Sequence, residues 1–294
     1  MKISVCIPVY NFDVRTLVFD LKKEIQNHQL EIEIVLIDDC SDDFYKNIND
    51  SLFSKVEQYI LLENNIGRSQ IRNLFLQYAK GDFLLFLDCD VKINQNDFLR
   101  NYLKEIDSNI DVEVFYGNFE IDKTFSHTLR NRYSLSKEIF HVQKSNDVSL
   151  LKTVNCLIKR QVLESYPFDD SMLNYGYEDF VFAKTLEYAK VKFLAFQNPV
   201  IHVDETSNVD FLKKTKIAVN TLYELSLDKS KEKYIQDVTL YKVAKKMILF
   251  QLASVFLVFY RLVENRILKN LQSNHPNLMN FDFYKLGLLL RKMK

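Results

Sequence analysis

The first 90 residues alternate between short apolar runs and longer segments whose apolar residues recur every three or four positions. The short runs are rich in β-branched and aromatic side chains, which predicts strands, and the longer segments predict amphipathic helices. A strand-helix order of this kind is typical of a mostly parallel sheet with helices on both faces. The predicted strands are residues 3–9, 32–37, 59–62 and 83–87, and the predicted helices are residues 14–25, 44–52 and 71–78.

Beyond residue 90 the alternation is less regular. Residues 120–150 are polar overall and show no clear period, so no element is predicted there. The α/β body is expected to end near residue 208, which divides the chain into a domain of residues 1–208 and a helical C-terminal extension of residues 209–294. Further helices are predicted at residues 97–106 and 179–189, and further strands at residues 112–119, 153–158, 191–196 and 200–203.

One segment of the extension is strongly apolar. Between residues 247 and 260 only Gln251 and Ser254 are polar, and Lys245, Lys246 and Arg261 flank the segment. As one helix it would be about 21 Å long, short of the ~30 Å hydrocarbon core of a membrane, so a transmembrane span is disfavoured. Two interpretations stay open: a core helix packed on the body or on a second subunit of a homodimer, and a helix lying in a membrane interface.

Charge is unevenly distributed along the chain, although 39 Lys and Arg balance 39 Asp and Glu. Residues 234–294 hold ten basic and three acidic side chains, which leaves residues 1–233 with 29 basic and 36 acidic ones, a net charge of −7. An acidic body argues against nucleic acid as a partner, and a basic end favours contact with something anionic.

The cysteines and the N-terminus bear on the cellular compartment. The four cysteines include no C-x-x-C pair, which is typical of buried thiols in a reducing compartment. The chain enters a strand at once, without the pattern of a signal peptide. We therefore expect a cytoplasmic protein, with peripheral contact at the inner face of the plasma membrane through residues 209–294.

Glycines are scarce and widely spaced. There are five, at positions 67, 81, 117, 176 and 287, and no two lie closer than 14 residues. This spacing excludes a G-x-G-x-x-G turn and a P-loop, both of which need clustered glycines beside phosphate, and with them an NAD-dependent oxidoreductase. If the protein binds a nucleotide, a metal or side chains must neutralise the phosphates.

Polar side chains follow each of the four predicted strands, at residues 8–11, 38–39, 64–65 and 88–90. The carboxyl ends of parallel strands meet at one edge of a sheet, where open α/β folds bind ligands. Asp88 and Asp90 would point to the same side of an extended chain, and two such carboxylates suit a hard cation. The alternative is that both aspartates are ordinary polar residues of a loop.

Five motifs carry a resemblance to a known family. They are SVCIPVYN at residues 4–11, VLIDDCS at 35–41, NIG at 65–67 with Arg72-Asn73, DCD at 88–90, and GYED at 176–179. In this order and spacing, they resemble the family 2 inverting glycosyltransferases of the GT-A fold, and the resemblance covers residues 1–208. The implied fold class is α/β, a Rossmann-like, mostly parallel sheet with helices on both faces.

The resemblance implies a nucleotide site at the first strand ends. Pro8 and Tyr10 would lie around the base, and Asp39 would accept a hydrogen bond from a ring N–H. A carboxylate acceptor suits the N3–H of uracil, so a UDP-linked donor is expected. Arg72 would reach the base or the diphosphate, its alternative being a surface ion pair.

The resemblance also implies a cofactor, Mn²⁺ or Mg²⁺, bound through the D-x-D pair to the donor diphosphate. Asp90 is expected to contact the metal directly, while Asp88 would lie closer to the ribose. His202 occupies the place where many relatives carry a histidine that completes the metal site. The alternative is a structural histidine after a strand.

The GYED motif implies the catalytic residues. Inversion needs a base that takes the proton of the acceptor hydroxyl, and Asp179 is the candidate, with Glu178 binding acceptor or donor hydroxyls. The alternative is that both residues only stabilise the N-terminus of a helix. Tyr175 replaces a tryptophan common in relatives, so the identity of the acceptor is not carried over.

These features predict a metal-dependent inverting glycosyltransferase. It would move a hexose-type sugar from a nucleoside diphosphate to a hydroxyl of a glycan or lipid-linked glycan, in polysaccharide or glycoconjugate biosynthesis. A sugar-phosphate nucleotidyltransferase is less consistent with the chain, because residues 8–14 lack the glycine-rich, basic loop such an enzyme would need. A non-catalytic nucleotide-sugar-binding or partner protein with the same fold is the other alternative.

Overall fold

The computed structural model describes residues 2–172 and 174–294. The chain forms two compact units, the first comprising Met1–Glu120, Ile139–Leu173 and Glu178–Val203, and the second comprising Ile121–Glu138, Asn174–Tyr177 and Asp204–Lys294. The second unit thus includes residues 121–138, 174–177 and 204–208 of the predicted domain of residues 1–208. The division at residue 208 stays a prediction.

The elements follow the predicted strand-helix alternation through the first half of the chain. The strands are β1 (Ile3–Val9), β2 (Ile32–Asp38), β3 (Gln58–Leu61), β4 (Phe83–Leu87), β5 (Val91–Lys92), β6 (Val114–Tyr116), β7 (Phe119–Ile121), β8 (Lys144–Ser145), β9 (Asn155–Lys159), β10 (Phe193–Phe196) and β11 (Val200–His202). The helices are α1 (Arg15–His28), α2 (Asp43–Asn49), α3 (Gly67–Tyr78), α4 (Phe98–Ser108), α5 (Leu129–Lys137), α6 (Arg160–Ser165), α7 (Glu178–Tyr188), α8 (Asn208–Leu227), α9 (Glu232–Ile235), α10 (Thr239–Leu249), α11 (Ala253–Leu271) and α12 (Leu278–Met293).

The main sheet has the strand order β3-β2-β1-β4-β9-β6-β10-β8. Its first four strands are mutually parallel, with Ile3 of β1 opposite Ile32 of β2 and Phe83 of β4. Strand β9 is antiparallel to both β4 and β6. Every residue of β2 and β4 is buried, as a strand covered on both faces requires. The predicted α/β class with a mostly parallel sheet is confirmed.

The prediction of a single strand at residues 112–119 is wrong in one respect, because this segment forms two strands that belong to two different sheets. Strand β6 belongs to the main sheet, whereas β7 joins a smaller sheet of order β5-β11-β7. Between them Asn118 has a φ of 67°, in the left-handed region that ends a strand. Its side-chain amide donates to the carbonyl of Phe140 and the Oε1 of Gln197, contacts that no local pattern reveals.

The second unit has a core of its own. Its buried cluster draws on α5, α8, α11 and α12, and tyrosines and phenylalanines supply much of its volume. The ring of Tyr260 lies against Gly287 of α12, where a Cβ atom would come within 2.6 Å of the ring. The buried members are Leu129, Phe211, Leu212, Tyr260, Ile267, Leu271, Phe281 and Tyr284.

The apolar segment of residues 247–260 is not one helix, contrary to the sequence pattern. Helix α10 ends with a Schellman motif, in which Gln251 at φ 58° donates to the carbonyl of Ile248, and Leu252 donates to that of Met247. Within residues 2–172 and 174–294, no single helix is long and apolar enough to cross a membrane. Helices α10 and α11 meet that test only as a pair, and they are bent by 117°.

Candidate active site

The predicted site residues of the first unit gather where β1, β2 and β4 end. These parallel strands deliver Tyr10, Asp39 and Asp88 to one edge of the main sheet. The antiparallel strand β9 begins at this edge, because the backbone N–H of Asp88 donates to the carbonyl of Val154 just before β9. The edge therefore also receives Thr153, which precedes Val154 in the chain.

Asp39 lies buried at the N-terminus of α3. Its carboxylate accepts hydrogen bonds from the backbone N–H of Ile66 at 2.7 Å and of Gly67 at 3.1 Å. Gly67 has a φ of 81°, so glycine suits this turn into the helix. Burial raises the pKa of Asp39, although the two hydrogen bonds act in the opposite direction. Each carboxylate oxygen has a second lone pair, so Asp39 can still accept from a ligand.

Pro8 and Tyr10 lie at the end of β1, on either side of Val9. Pro8 is partly buried and pairs with Ile37 of β2, while the Tyr10 side chain is 53% exposed. The backbone of Tyr10 also hydrogen-bonds to Cys89, which ties the end of β1 to the loop after β4. An exposed aromatic ring at this edge is available to pack against a planar ligand.

Asp88 is engaged by two arginines of α3. The Nη2 of Arg72 lies 3.0 Å from one oxygen of Asp88, and the Nη2 of Arg68 lies 3.7 Å from the other. Arg72 is only 2% exposed, so the interpretation as a surface ion pair is wrong for this residue. Its Nη1 also donates to the carbonyl of Arg68, one turn earlier in the helix.

Asp90 contacts His202, whereas Asp88 contacts the two arginines. The chain turns at Cys89 and Asp90, which removes the extended geometry that the spacing of the two aspartates suggested. The Nε2 of His202 lies 3.3 Å from Oδ2 of Asp90, and the backbone N–H of Val203 donates to the Asp90 carbonyl. Burial would raise the pKa of Asp90, but the charge and hydrogen bond of His202 outweigh it and hold that pKa below its ordinary value.

The donor set at Asp90 and His202 fits a divalent metal in part. Oδ1 of Asp90 is buried and, among residues 2–172 and 174–294, has no hydrogen-bond partner, as expected of an atom placed for a ligand. A carboxylate oxygen with an imidazole nitrogen suits Mn²⁺. Across that same part of the chain, however, no three His, Cys, Asp or Glu side chains form a metal-binding group. The structure thus brings together two of the three predicted ligands, while Asp88 contacts the arginines.

Glu178 and Asp179 begin helix α7 and face different partners. Glu178 is buried, and its Oε1 lies 3.0 Å from Nη1 of Arg68. Asp179 accepts from the backbone N–H of Thr153 at 3.1 Å and from its Oγ1 hydroxyl at 2.8 Å. These contacts fix the direction of both carboxylates at the edge of the sheet.

Two residues that contact the predicted site residues were not themselves predicted from the sequence. Arg68 lies between Asp88 and Glu178, and Thr153 orients Asp179. For Arg68 a signal exists, because it precedes Arg72 by four residues and so lies on the same face of α3. For Thr153 none does, because it and Asp179 are distant in the sequence and meet only in the fold.

The protein thus has an α/β fold with polar side chains gathered at the carboxyl edge of the parallel strands, the edge where open α/β folds bind ligands. The model of Glycosyl transferase family 2 matches residues 4–166, which is more than half of the chain, so the chain belongs to this family. The prediction of the family is therefore confirmed. Glu178, Asp179 and His202 lie beyond the matched residues, and the assigned roles of all site residues stay predictions.

A much longer relative matches part of this chain. The minor teichoic acid biosynthesis protein GgaB of Bacillus subtilis (strain 168) is 29% identical over 175 residues, which is 57% of this chain but 19% of GgaB. This chain therefore corresponds to less than a fifth of that relative's length.

Two solved structures share the fold. The crystal structure of S. aureus TarS 1-349 in complex with UDP-GlcNAc is similar with a TM-score of 0.55 and 18% identity, covering 100% of this chain and 93% of the other. The mannosyltransferase PcManGT of Pyrobaculum calidifontis, in complex with GDP-Man and Mn²⁺, has a TM-score of 0.58 and 14% identity, covering 97% of this chain and 85% of the other. At these identities the similarity establishes the fold alone.

Proposed function

We propose that this protein is a metal-dependent inverting glycosyltransferase that uses a UDP-linked sugar. The observation that carries the proposal is the pair of hydrogen bonds by which Thr153 fixes the Asp179 carboxylate. These bonds lie at the edge of the sheet to which β4 also delivers Asp88 and Asp90. A fixed carboxylate beside a set of cationic and metal-ligating side chains is what sugar transfer from a diphosphate requires. Membership of glycosyl transferase family 2 supports the same conclusion.

The reaction needs a base on one side of the anomeric carbon and charge stabilisation on the other. Asp179 accepts the proton of the acceptor hydroxyl through a lone pair that the Thr153 contacts leave available. The acceptor oxygen forms a bond to the anomeric carbon while the bond from that carbon to the phosphate oxygen breaks, and the nucleoside diphosphate leaves with the electron pair. Attack opposite the leaving group inverts the configuration.

Donor specificity is proposed to come from the ends of β1 and β2. Asp39 accepts from the N3–H of uracil, and the exposed Tyr10 ring packs against the base. A TarS structure in complex with UDP-GlcNAc supports UDP as the nucleotide. The PcManGT structure in complex with GDP-Man makes GDP the competing choice, which the experiment below compares.

Asp90 and His202 would hold the metal, and the Mn²⁺ in the PcManGT complex supports this assignment. When bound, the ion would stabilise negative charge on the departing diphosphate. Arg68 is placed to add to this effect, because its half-exposed guanidinium lies between Asp88 and Glu178 and can reach a phosphate between them. Arg72 holds Asp88 in place, near the expected ribose.

The acceptor is proposed to be a hydroxyl of a glycan or lipid-linked glycan. The teichoic acid biosynthesis role named for GgaB supports a cell-surface polymer of this kind. Glu178 would bind hydroxyls of the acceptor or the donor sugar. A non-catalytic nucleotide-sugar-binding protein remains the alternative, and it needs no base at Asp179.

Calorimetric titration with UDP and GDP, each with and without Mn²⁺, tests the donor and metal together. We expect UDP to bind in the presence of metal, with at least roughly tenfold weaker binding without it. Asp90→Ala should remove the effect of metal, whereas Asp111→Ala, an exposed aspartate in the same unit, should leave it unchanged. Equal binding of UDP with and without Mn²⁺ would contradict the metal assignment, and tighter binding of GDP would contradict UDP.

A further inference from the structure

The turn between α10 and α11 exposes apolar side chains that a folded protein ordinarily covers. Leu249 is 75% exposed and Leu262 is 79% exposed, and Phe250 and Leu252 between the two helices are also exposed. We call the exposed apolar side chains of residues 249–262 the apolar elbow. A contiguous apolar surface of this kind marks a site of interaction.

On helix α11 the exposed apolar residues form one stripe. Val255, Val258, Phe259 and Leu262 are spaced by three, one and three residues, so they share one face of the helix. The opposite face packs into the core of the second unit through Tyr260 and Ile267. The stripe is therefore held in place by a buried helix face.

Both helices become basic with distance from the turn. On α11, exposed Arg266 and Lys269 continue the line of the apolar stripe. On α10, exposed Lys246 lies about one turn before Leu249, on the same side of the helix. Arg261 adds a further exposed cation beside Leu262. We call Lys246, Arg261, Arg266 and Lys269 the basic collar.

The surrounding charge reinforces this pattern. Residues 239–271 contain six Lys or Arg and one Asp or Glu, and that one, Glu264, is paired with Arg291 at 2.6 Å. Lys242 and Lys245 already have carboxylate partners in Asp237 and Glu232. The collar is the part of this charge that is best placed for an external anion.

We propose that the apolar elbow inserts into the surface of an anionic membrane, with the basic collar contacting the lipid phosphates. An apolar tip with cations about one turn behind it matches the depth profile of a membrane interface, where acyl chains lie below the phosphates. A second copy of the chain fits less well. A two-fold interface through the elbow would bring the two basic collars close together, and like charges would repel.

Membrane docking of this kind is independent of the proposed sugar transfer, because it involves only the second unit and needs no substrate. Vesicle flotation with the purified full chain measures it directly. We expect the protein to float with vesicles of phosphatidylcholine and phosphatidylglycerol in equal amounts, and to float much less with phosphatidylcholine alone. High salt should weaken the first interaction, because it screens the collar.

Two sets of variants separate the apolar contribution from the charge. Replacing Leu249, Val255 and Leu262 by Ser should lower the partition coefficient on anionic vesicles by at least roughly tenfold. These side chains are exposed, so the fold should be retained, as circular dichroism would verify. Matched controls are Val209→Ser, Leu227→Ser and Met279→Ser, exposed apolar residues elsewhere in the unit, which should leave the partition coefficient within about twofold.

The charge variant replaces three members of the collar, Lys246, Arg266 and Lys269, by Glu. It should reduce binding to anionic vesicles on the order of a hundredfold and change binding to neutral vesicles little. The matched control replaces Lys213, Lys214 and Lys229, which are exposed elsewhere in the unit, by Glu. Binding should fall much less in this control than in the collar variant.

Three results would overturn the proposal. One is the absence of flotation with either vesicle type, and another is an equal loss of binding in the elbow variant and its control. The third is a dimer in light scattering that the elbow serines convert to a monomer, without any vesicle binding, because the elbow would then bind a second copy.

Discussion

Arg72 shows how one buried cation organises the end of β4. Its guanidinium lies 5.8 Å from the ring centre of Phe168 and 3.0 Å from the Asp88 carboxylate. A buried charge is tolerated only when its partners satisfy it, so the position of Asp88 and the charge of Arg72 depend on each other. Arg72 is therefore expected to stabilise the fold at the end of β4.

Replacing Arg72 by Met should destabilise the fold. The change leaves the half-buried Asp88 with only the longer contact to Arg68, and we expect a loss of about 3 kcal/mol in the free energy of unfolding. Urea denaturation measures this loss. Arg100→Met is the control, since its pair with Asp97 is exposed at the surface and should be worth below about 1 kcal/mol. Equal losses in the two variants would show that the buried Arg72–Asp88 pair contributes no more to stability than an exposed ion pair.

Asp179→Asn should remove sugar transfer while leaving donor binding within a few-fold. Asparagine keeps the shape of the side chain but cannot accept the acceptor proton as a base, so kcat should fall at least about a hundredfold. Thr153→Val removes one hydrogen bond that orients Asp179 and should lower kcat roughly tenfold. Steady-state kinetics with UDP titrations checks both values. A large loss of UDP affinity in Asp179→Asn would move this residue out of the role of base.

At the scale of the elements, a side chain from another helix takes the place of a local cap at the start of α4. Glu24 of α1 is buried, and its Oε1 accepts from the backbone N–H groups of Leu99 and Arg100 at the start of α4. These are N–H groups that a helix leaves unsatisfied at its first turn. Burial raises the pKa of Glu24, and the two hydrogen bonds offset only part of that effect.

The raised pKa of Glu24 predicts a specific dependence of stability on pH. Below the unfolded-state pKa, about 4.3, the residue is protonated in both states and contributes no pH dependence. Between this value and the higher folded-state pKa, the unfolded state has lost its proton while the folded state still holds it. The folded protein therefore loses stability as the pH rises through this range, until the folded state has also lost its proton. Glu24→Gln should lack this part of the decline, so the wild type should lose stability relative to the variant above about pH 4.3.

Thermal or urea unfolding at several pH values from about 4 to 7 measures this difference. Glu120→Gln, at an exposed position, is the control for loss of one charge. A constant difference between the wild type and Glu24→Gln over this range would contradict the prediction.

At the scale of the whole molecule, the second unit is built from separate parts of the chain. Leu129 of α5 belongs to the same buried cluster as Phe211, Tyr260 and Phe281, which lie 82 to 152 residues later. Contacts this distant in sequence form only after long loops have closed. We therefore expect the packing of α5 to depend on the helical extension, which follows it by many positions in the chain.

A chain that ends at residue 208 should leave α5 without its core. Most of the buried cluster around Leu129 lies after residue 208, so we expect the amides of α5 to exchange with solvent at least about a hundredfold faster. Hydrogen exchange with mass spectrometry measures this, with the full chain as reference. The amides of β1, β2 and β4 should stay protected. Unchanged protection of α5 would show that residues 1–208 are an independent domain.

Local pattern accounts for the parts of this fold where near neighbours in the chain decide the outcome. The strands β1, β2 and β4 follow from runs that are apolar on both faces, and parallel pairing then brings the residues after them to one edge. The family followed from motifs at those strand ends, and the matched range of residues 4–166 confirms it. The sequence alone was sufficient for these conclusions because each depends on the period and order of adjacent residues.

Tertiary structure decided which partner each of these side chains meets. Asp90 turns to His202, and Asp179 meets Thr153, because β11 and β9 bring together residues more than 20 positions apart. The bend at Gln251 likewise divided an apolar segment that looked like one helix. Periodicity reports which residues avoid water, but the direction of a side chain after a turn depends on packing between distant segments, and only the folded chain contains that information.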